Sequence, residues 1–254
     1  MTSRVHKARA IVLRARNLGE ADKIFTLLTA EYGKYEAIAR GVRRGKSRVA
    51  GKLEFGAEAF LLLHRGRRLD VIGSADILRS SWPAITLPAG YATAHVMIEL
   101  VDAFCEHDLA VPEVYALLNA ALGALGSVVD PTLLIPRFNA RLLAALGLAP
   151  YDADCVRCGC SLDGQPAWAD LEAGGLSCRD CRPHGGDLSA LEPHETTNFR
   201  SLAAPRASGA RAALAAAPAA ARAIEAFLTY HLGRRLKATR LLDELRQAAP
   251  SGAG

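Results

Sequence analysis

Six cysteines stand in the chain, and four of them form two matched pairs, Cys155-Val156-Arg157-Cys158 and Cys178-Arg179-Asp180-Cys181, with 19 residues between the pairs. A Cys-x-x-Cys turn aims two thiolates at one side of an ion, and two such turns supply the four soft donors of a tetrahedral zinc site. Gly159, Gly164, Gly174 and Gly175 in the intervening stretch permit the hairpin that brings the pairs face to face. Four thiolates close the coordination sphere, so the expected zinc is structural: it folds a small subdomain that buries little apolar surface by itself. No position is left for an activated water. A zinc deaminase is set aside too, because no His-x-Glu stands upstream and Asp154 rather than proline precedes the first cysteine. Cys160 adds a thiol beside the set and can replace Cys158 as ligand. On spacing alone, a thioredoxin-type redox pair or an emptied site stays open.

The second pattern is electrostatic. Between Ala39 and Ile72, short apolar runs alternate with turns carrying Arg40, Arg43, Arg44, Lys46, Arg48, Lys52, Arg65, Arg67 and Arg68, and no acid falls between Arg40 and Lys52. Gly41, Gly45 and Gly51 keep the first of these loops pliable, so a polyanion can approach closely. The bland reading is a solvated hairpin. Charge asymmetry favours a phosphate backbone instead. Residues 1–72 hold 16 Lys and Arg against 7 Asp and Glu, a balance of +9, whereas the whole chain balances at +5. Positive charge gathered in one module is what a nucleic-acid face requires.

Other combinations carry less. His95, Glu99, Asp102, Glu106 and His107 lie three or four apart and read as a polar helix face, since no nucleophile or phosphate loop accompanies them. No Walker loop, no Gly-x-Ser-x-Gly and no usefully spaced carboxylate pair supports an enzyme, so none is expected. Cys105, among apolar neighbours, reads as a buried thiol.

The elements that must position these groups follow from periodicity. His6 to Leu13, Lys23 to Thr29, Tyr35 to Ala39, Phe55 to His64 and Leu69 to Asp76 alternate as strands, with Arg14 to Asp22 read as a polar turn. Five short strands in about 75 residues match a small barrel such as an OB-fold, which commonly grips single strands. Of Phe25, Tyr32, Tyr35, Phe55 and Phe60, most are expected in its core. Trp82-Pro83 and Pro88 end that pattern, and a period of about 3.6 begins. Helices are expected from Tyr91 to His107, from Pro112 to Gly126 and from Asp130-Pro131 to Gly147, the last kinked at Pro136. After the cysteines, Pro183 to Ser208 is loop-rich, Arg211 to Ala223 is alanine-rich, and helices run from Pro218 to His231 and from Leu236 to Arg246, the latter with Leu241, Leu242 and Leu245 on one side. Arg234, Arg235, Lys237 and Arg240 form a second basic patch. The fold class is thus α+β and multidomain: an OB-fold barrel at 1–80, a helical domain at 81–150, a zinc ribbon at 151–187 and C-terminal helices at 188–254 packing on the helical domain. The N-terminal stretch scatters charge through its only apolar run, unlike a signal peptide, which places the chain in the cytoplasm and favours metal-bound or buried thiols over disulfides.

The order of parts resembles the RecO family of bacterial recombination mediators in DNA repair. The likeness is carried by LTAEYGKYEAIARGVRR, RFNARLLAALGLAPYDADCVRCG, GGLSCRDC and YHLGRRLKATRLLDEL. It implies an OB-fold, a helical domain and a zinc-binding insert, with DNA contacts at Arg40, Arg43, Arg44 and Lys46 and zinc on Cys155, Cys158, Cys178 and Cys181. It also implies binding of single- and double-stranded DNA at the nucleoid, strand annealing, and work with RecR to load RecA onto DNA coated by single-strand-binding protein. The acidic tail of that protein would dock in a helical groove near Arg137 or Arg141. Cys160 and the alanine-rich segment depart from the pattern. A zinc-ribbon RNA-binding or transcription factor is the rival reading.

Overall fold

The computed structural model describes residues 4–44, 49, 51–80, 85–184, 190–203 and 218–248. Lys46, Arg48, Trp82-Pro83 and most of the alanine-rich run lie outside the described residues. Two compact units result: Met1–Pro131 with Leu236–Gly254, and Thr132–Arg235.

The first unit is built on five strands: β1 (Val5–Leu18), β2 (Asp22–Thr29), β3 (Gly33–Ala39), β4 (Glu58–His64) and β5 (Asp70–Arg79). They close into a barrel in the order β1-β2-β3-β5-β4, with β4 returning to β1 and β3 meeting β5 in parallel. This is the OB-type arrangement that the strand count anticipates, and closure leaves no strand edge open for aggregation. Alternation fixes the register: Ala8, Ala10, Val12, Phe25, Leu27, Ala37, Leu61 and Leu63 all point inward. Of the five aromatic rings considered, Phe25 is fully in the core and Tyr35 packs against it, while Tyr32 is exposed and Phe60 lies under the ammonium of Lys7.

The strand boundaries shift from the sequence reading: β3 starts two residues earlier, β5 runs on to Arg79, and two further shifts have clear causes. Arg14 to Leu18 continues β1 instead of turning, because a bulge between Val12 and Arg14 lets the strand bend and pair with β2 as far as Leu18↔Asp22. Its side chains face solvent there, so they look like loop in the sequence. At the other boundary, β4 begins at Glu58; Phe55 precedes it and stacks on His95 at 4.1 Å.

Helix α1 (Pro88–Phe104) is buried over most of its length, through Ala92, Ala94, Val96, Met97, Leu100 and Val101. Proline in its first turn costs no hydrogen bond, and the same holds for α2 (Pro112–Ala124). Two carboxylates of the polar helix face are taken up structurally. Asp102 pairs with Arg14 at 3.2 Å and Lys34 at 3.4 Å, and the Glu99 carboxylate accepts the backbone N–H groups of Lys237 and Ala238 at 2.9 and 2.7 Å. Those two amides open the C-terminal helix (Ala238–Ala248), which packs on α1 with Leu242 buried. The Leu245 side chain lies outside the described residues. Cys105 is a buried thiol, its pKa pushed up to about 11 by burial.

A 3-10 turn over Pro131–Leu134 leads into α3 (Ile135–Ala145), the first helix of the second unit. Pro136 therefore sits in the first turn of α3 and starts it instead of kinking it, since the N–H that proline lacks has no α-helical partner at that position. Strands β6 (Trp168–Asp170) and β7 (Gly175–Ser177) form the hairpin beside the cysteines, and α4 (Pro193–Ala203) and α5 (Pro218–Leu232) pack with α3 and each other. The Ala238–Ala248 helix of the first unit is α6.

Candidate metal centre and nucleic-acid interface

The cysteine hairpin is organised by its backbone. Gly159 and Gly174 take positive φ (both 74°), and the N–H groups of Gly159 and Val156 donate to Cys155 O and Leu176 O at 2.8 Å. Cys155 N donates to Cys160 O at 2.8 Å, folding the first knuckle back on itself; Cys178 N then donates to Cys155 Sγ at 3.3 Å, so the second knuckle meets the first. The sulfurs of Cys155, Cys158, Cys160 and Cys178 all lie within 4.8 Å of one another, and Cys158 and Cys178 are 3.8 Å apart. Bonds of about 2.3 Å to a tetrahedral zinc put neighbouring sulfurs roughly 3.8 Å apart, so the cluster has the dimensions of one ion. Cys181, the fourth ligand that the Cys-x-x-Cys spacing proposes, is not among these four. Sequence spacing pairs Cys181 with Cys178; the fold instead gathers four thiols with Cys160 beside Cys158.

The electrostatics ask for a cation. Burial works to raise the Cys155 thiol, yet the backbone amides of Cys178, Cys158 and Arg157 outweigh it and bring its pKa down to about 6. Hydrogen bonding to Cys158 and Cys178 pushes Cys160 and Cys181 up to about 12, because each extra thiolate would face others already charged. A divalent ion removes that repulsion, and soft sulfur donors suit it. Behind the knuckles, Arg157 forms a two-point pair with Asp170, the Nη2 to Oδ1 arm measuring 3.2 Å, and the Arg200 guanidinium donates to the carbonyls of Asp152 and Ala153 at 2.9 Å. These contacts hold the two ends of the hairpin in place.

The barrel's cations fall in two places. Arg40, Arg43 and Arg44 follow β3, next to the β1–β2 turn: Arg43 N donates to Ala21 O at 2.9 Å and its Nη1 to Gly19 O at 3.0 Å, while Gly41 N donates to Asp22 Oδ1 at 2.7 Å. Arg65, Arg67 and Arg68 project from the β4–β5 turn at the other end of β2 and β3, next to the turn that joins those two strands. All six side chains are exposed, and none forms an ion pair with a described residue. Lys52 differs: its ammonium donates to Ala75 O at 2.9 Å and faces Asp76 at 3.7 Å. The sequence reading placed these cations on one stretch; the barrel sends them to opposite ends. Strand β2 spans roughly 26 Å between those ends.

Among the described residues, no helix is long and apolar enough to cross a membrane. Compared with known proteins, residues 1–81 match the family model for the N terminal of recombination protein O, and residues 88–240 match that for its C terminal. A "DNA repair protein RecO" of Bifidobacterium longum is 33% identical over 246 residues, covering 94% of this chain and 99% of that protein. One of Anaeromyxobacter dehalogenans is 36% identical over 257 residues, covering 94% and 96%. One of Cutibacterium acnes is 33% identical over 248 residues, covering 94% and 98%.

Proposed function

The chain belongs to the RecO family, whose members serve DNA repair and recombination, and on that premise we propose that it is a strand-annealing mediator that performs no covalent chemistry. The observation that carries this reading is the pair of exposed arginine groups at opposite ends of one barrel. Each end neutralises the phosphates of one strand, or of strand and duplex, and so lowers the repulsion that keeps complementary strands apart while bases pair. Zinc on the thiol cluster fixes the shape of the hairpin and takes no part in a reaction, since four thiolates leave it no open position.

The partners expected of such a mediator are RecR, RecA indirectly, and single-strand-binding protein, all in the cytoplasm at the nucleoid. For the acidic tail of the last, α3 offers Arg137 and Arg141 one turn apart; burial, then the neighbouring Arg141 charge, lowers the Arg137 pKa, and an incoming carboxylate would relieve that repulsion.

Fluorescence polarisation with single-stranded DNA, titrated with salt, together with an annealing assay, tests the reading. Replacing Arg43 and Arg44 by glutamate, or Arg67 and Arg68, removes two phosphate contacts and lowers the salt slope by about 1.4 in each case. Either double change should slow annealing severely, because one strand loses its seat. Unchanged affinity and annealing at low salt would refute the proposal, and tighter binding of RNA than of DNA oligomers would favour a zinc-ribbon RNA-binding factor.

A further inference from the structure

At the end of the barrel where β2 turns into β3, a cavity of about 380 Å³ opens that phosphate neutralisation does not use. Three rings make its apolar wall. His6, Tyr32 and Tyr35 meet at centroid separations of 5.5, 6.4 and 6.3 Å, with the imidazole nearly perpendicular to both phenols. Tyr32 remains 38% exposed, so much of its ring is available to a planar ligand.

The polar wall divides into groups that are occupied and groups that are not. Asp70 is occupied: it accepts the Tyr35 hydroxyl, lies 3.5 Å from His6 Nε2, and takes Gly66 N–H at 3.0 Å on its other oxygen. Glu31 and Asp108 also line the cavity, yet neither carboxylate accepts a hydrogen bond or forms an ion pair with a described residue. Asp108 is moreover held at φ 58°, the one non-glycine residue at positive φ among those described. Its N–H donates to Lys34 O at 2.9 Å, and the Leu109 carbonyl occupies the space a Cβ on Gly33 would need. The α1–α2 connection is thus clamped onto the β2–β3 turn in a conformation that L side chains rarely adopt, and the clamp presents a bare carboxylate to the cavity.

Two acceptor-only groups beside an aromatic corner select a flat ring bearing adjacent N–H donors. Arg65 at the mouth, with Arg67 and Arg68 on the same turn, selects an anionic tether for that ring and disfavours an arginine or lysine side chain. Guanine meets both demands. Its N1–H and exocyclic amine form a donor pair that fits one carboxylate, and adenine, cytosine and thymine have no such pair on one edge. We propose that this cavity receives one unstacked guanine of a bound single strand, stacked on Tyr32 and donating to Glu31 or Asp108, with the adjoining phosphates at Arg65 to Arg68. The inference rests on the DNA-binding reading and deepens it by naming a base.

The test compares two labelled thymidine oligomers, one with a single central dG and one with deoxyinosine in its place, which lacks only the exocyclic amine. The dG oligomer should bind about tenfold more tightly. The full-length Glu31→Gln, Asp108→Asn double variant should bring that ratio to one, and so should Tyr32→Leu, each checked for native circular dichroism. An oligomer carrying 6-thioguanine should photo-crosslink to the peptide containing Tyr32. Equal affinities for dG and inosine in the unmodified protein overturn the inference while leaving DNA binding intact. Crosslinks that an arginine-rich peptide fails to displace support it, whereas protection of Tyr32 by that peptide alone overturns it. Failure to bind either oligomer removes the DNA-binding reading along with it.

Discussion

In the barrel, Ile11, Leu13, Leu27, Leu28, Leu61 and Leu63 are almost wholly removed from water, whereas the cysteine hairpin has strands of three residues and buries Leu162, Ala167, Ala169 and Leu176 as its aliphatic interior. Each fully buried leucine contributes about 1.5–3 kcal/mol, so the barrel stands on apolar burial and tolerates a solvated, cationic exterior. The hairpin has no such reserve and relies on directional contacts: four gathered thiols, one two-point ion pair and an arginine clasp on two carbonyls. The same chain therefore contains one module that polar surface mutations hardly disturb and one that they dismantle.

The contrast is broken most forcefully by removing the metal. Chelation, or Cys155→Ser with Cys178→Ser, should unfold residues 150–180, since apparent binding energies of about 10–16 kcal/mol accompany structural zinc in modules of this kind. Hydrogen exchange should report loss of protection at Val156 and Leu176 while Ala10 and Leu27 in the barrel stay protected. Persistent protection of the hairpin without metal would mean that its ion pair and caps suffice.

Next in size is the reciprocal change. Leu61→Ala leaves a void in a fully buried site and should cost about 2–5 kcal/mol in urea unfolding of the barrel. Metal content should remain as before. Loss of metal in that variant would show that the two modules are coupled more tightly than their separate contacts suggest.

A smaller effect should come from Asp170, whose side chain is 1% exposed. Burial raises its pKa, but the Arg157 guanidinium and the N–H groups of Ala173 and Glu172 win and hold it below the usual carboxylate range. Its contribution is therefore present above about pH 3.9, the unfolded value, and is lost as pH falls through the lower folded value. Asp170→Asn should destabilise the hairpin by about 1.5–3 kcal/mol at neutral pH and flatten the acid limb of its stability curve. In the barrel, Glu58 is likewise lowered, by Tyr115 and Arg9 acting against burial, so both modules lose stability in the same acid range and a variant at one should leave the other's acid limb intact.

How much of this was legible in the residues depends on whether the decisive contact is local. Runs of apolar, strand-forming residues marked all five strands, although β2 is buried on both faces from Ile24 to Thr29; the reading missed Arg14 to Leu18, where pairing with β2 holds a strand that buries nothing. The Cys-x-x-Cys pairs announced a metal site, but Cys160 joins it through a backbone hydrogen bond from Cys155 that spacing does not encode. The amphipathic face of α6 promised a helix without naming α1 as its support. Glu31, Tyr32 and Asp108 could not be grouped at all, since the cavity they line is assembled from turns about 77 residues apart in the chain. Lys46 and Arg48 remain expectations, outside the described residues.

The smallest expected effect lies where the chain's end is tied to the barrel unit by a polar contact instead of an apolar one. Glu99 accepts two N–H groups at the start of α6, a carboxylate placed where the helix dipole is positive and the first amides have no partner of their own. Glu99→Gln keeps one acceptor oxygen and loses the charge; Glu99→Ala loses both. Because α6 also packs Leu242 against α1, neither change should detach it, and the cost should be about 0.5–2 kcal/mol for alanine and less for glutamine. Amide exchange in α6 should quicken in that order while the barrel and the hairpin keep their protection. If alanine instead releases α6 entirely, the apolar face of that helix contributes little, and the barrel unit would share the hairpin's dependence on directional contacts at its own margin.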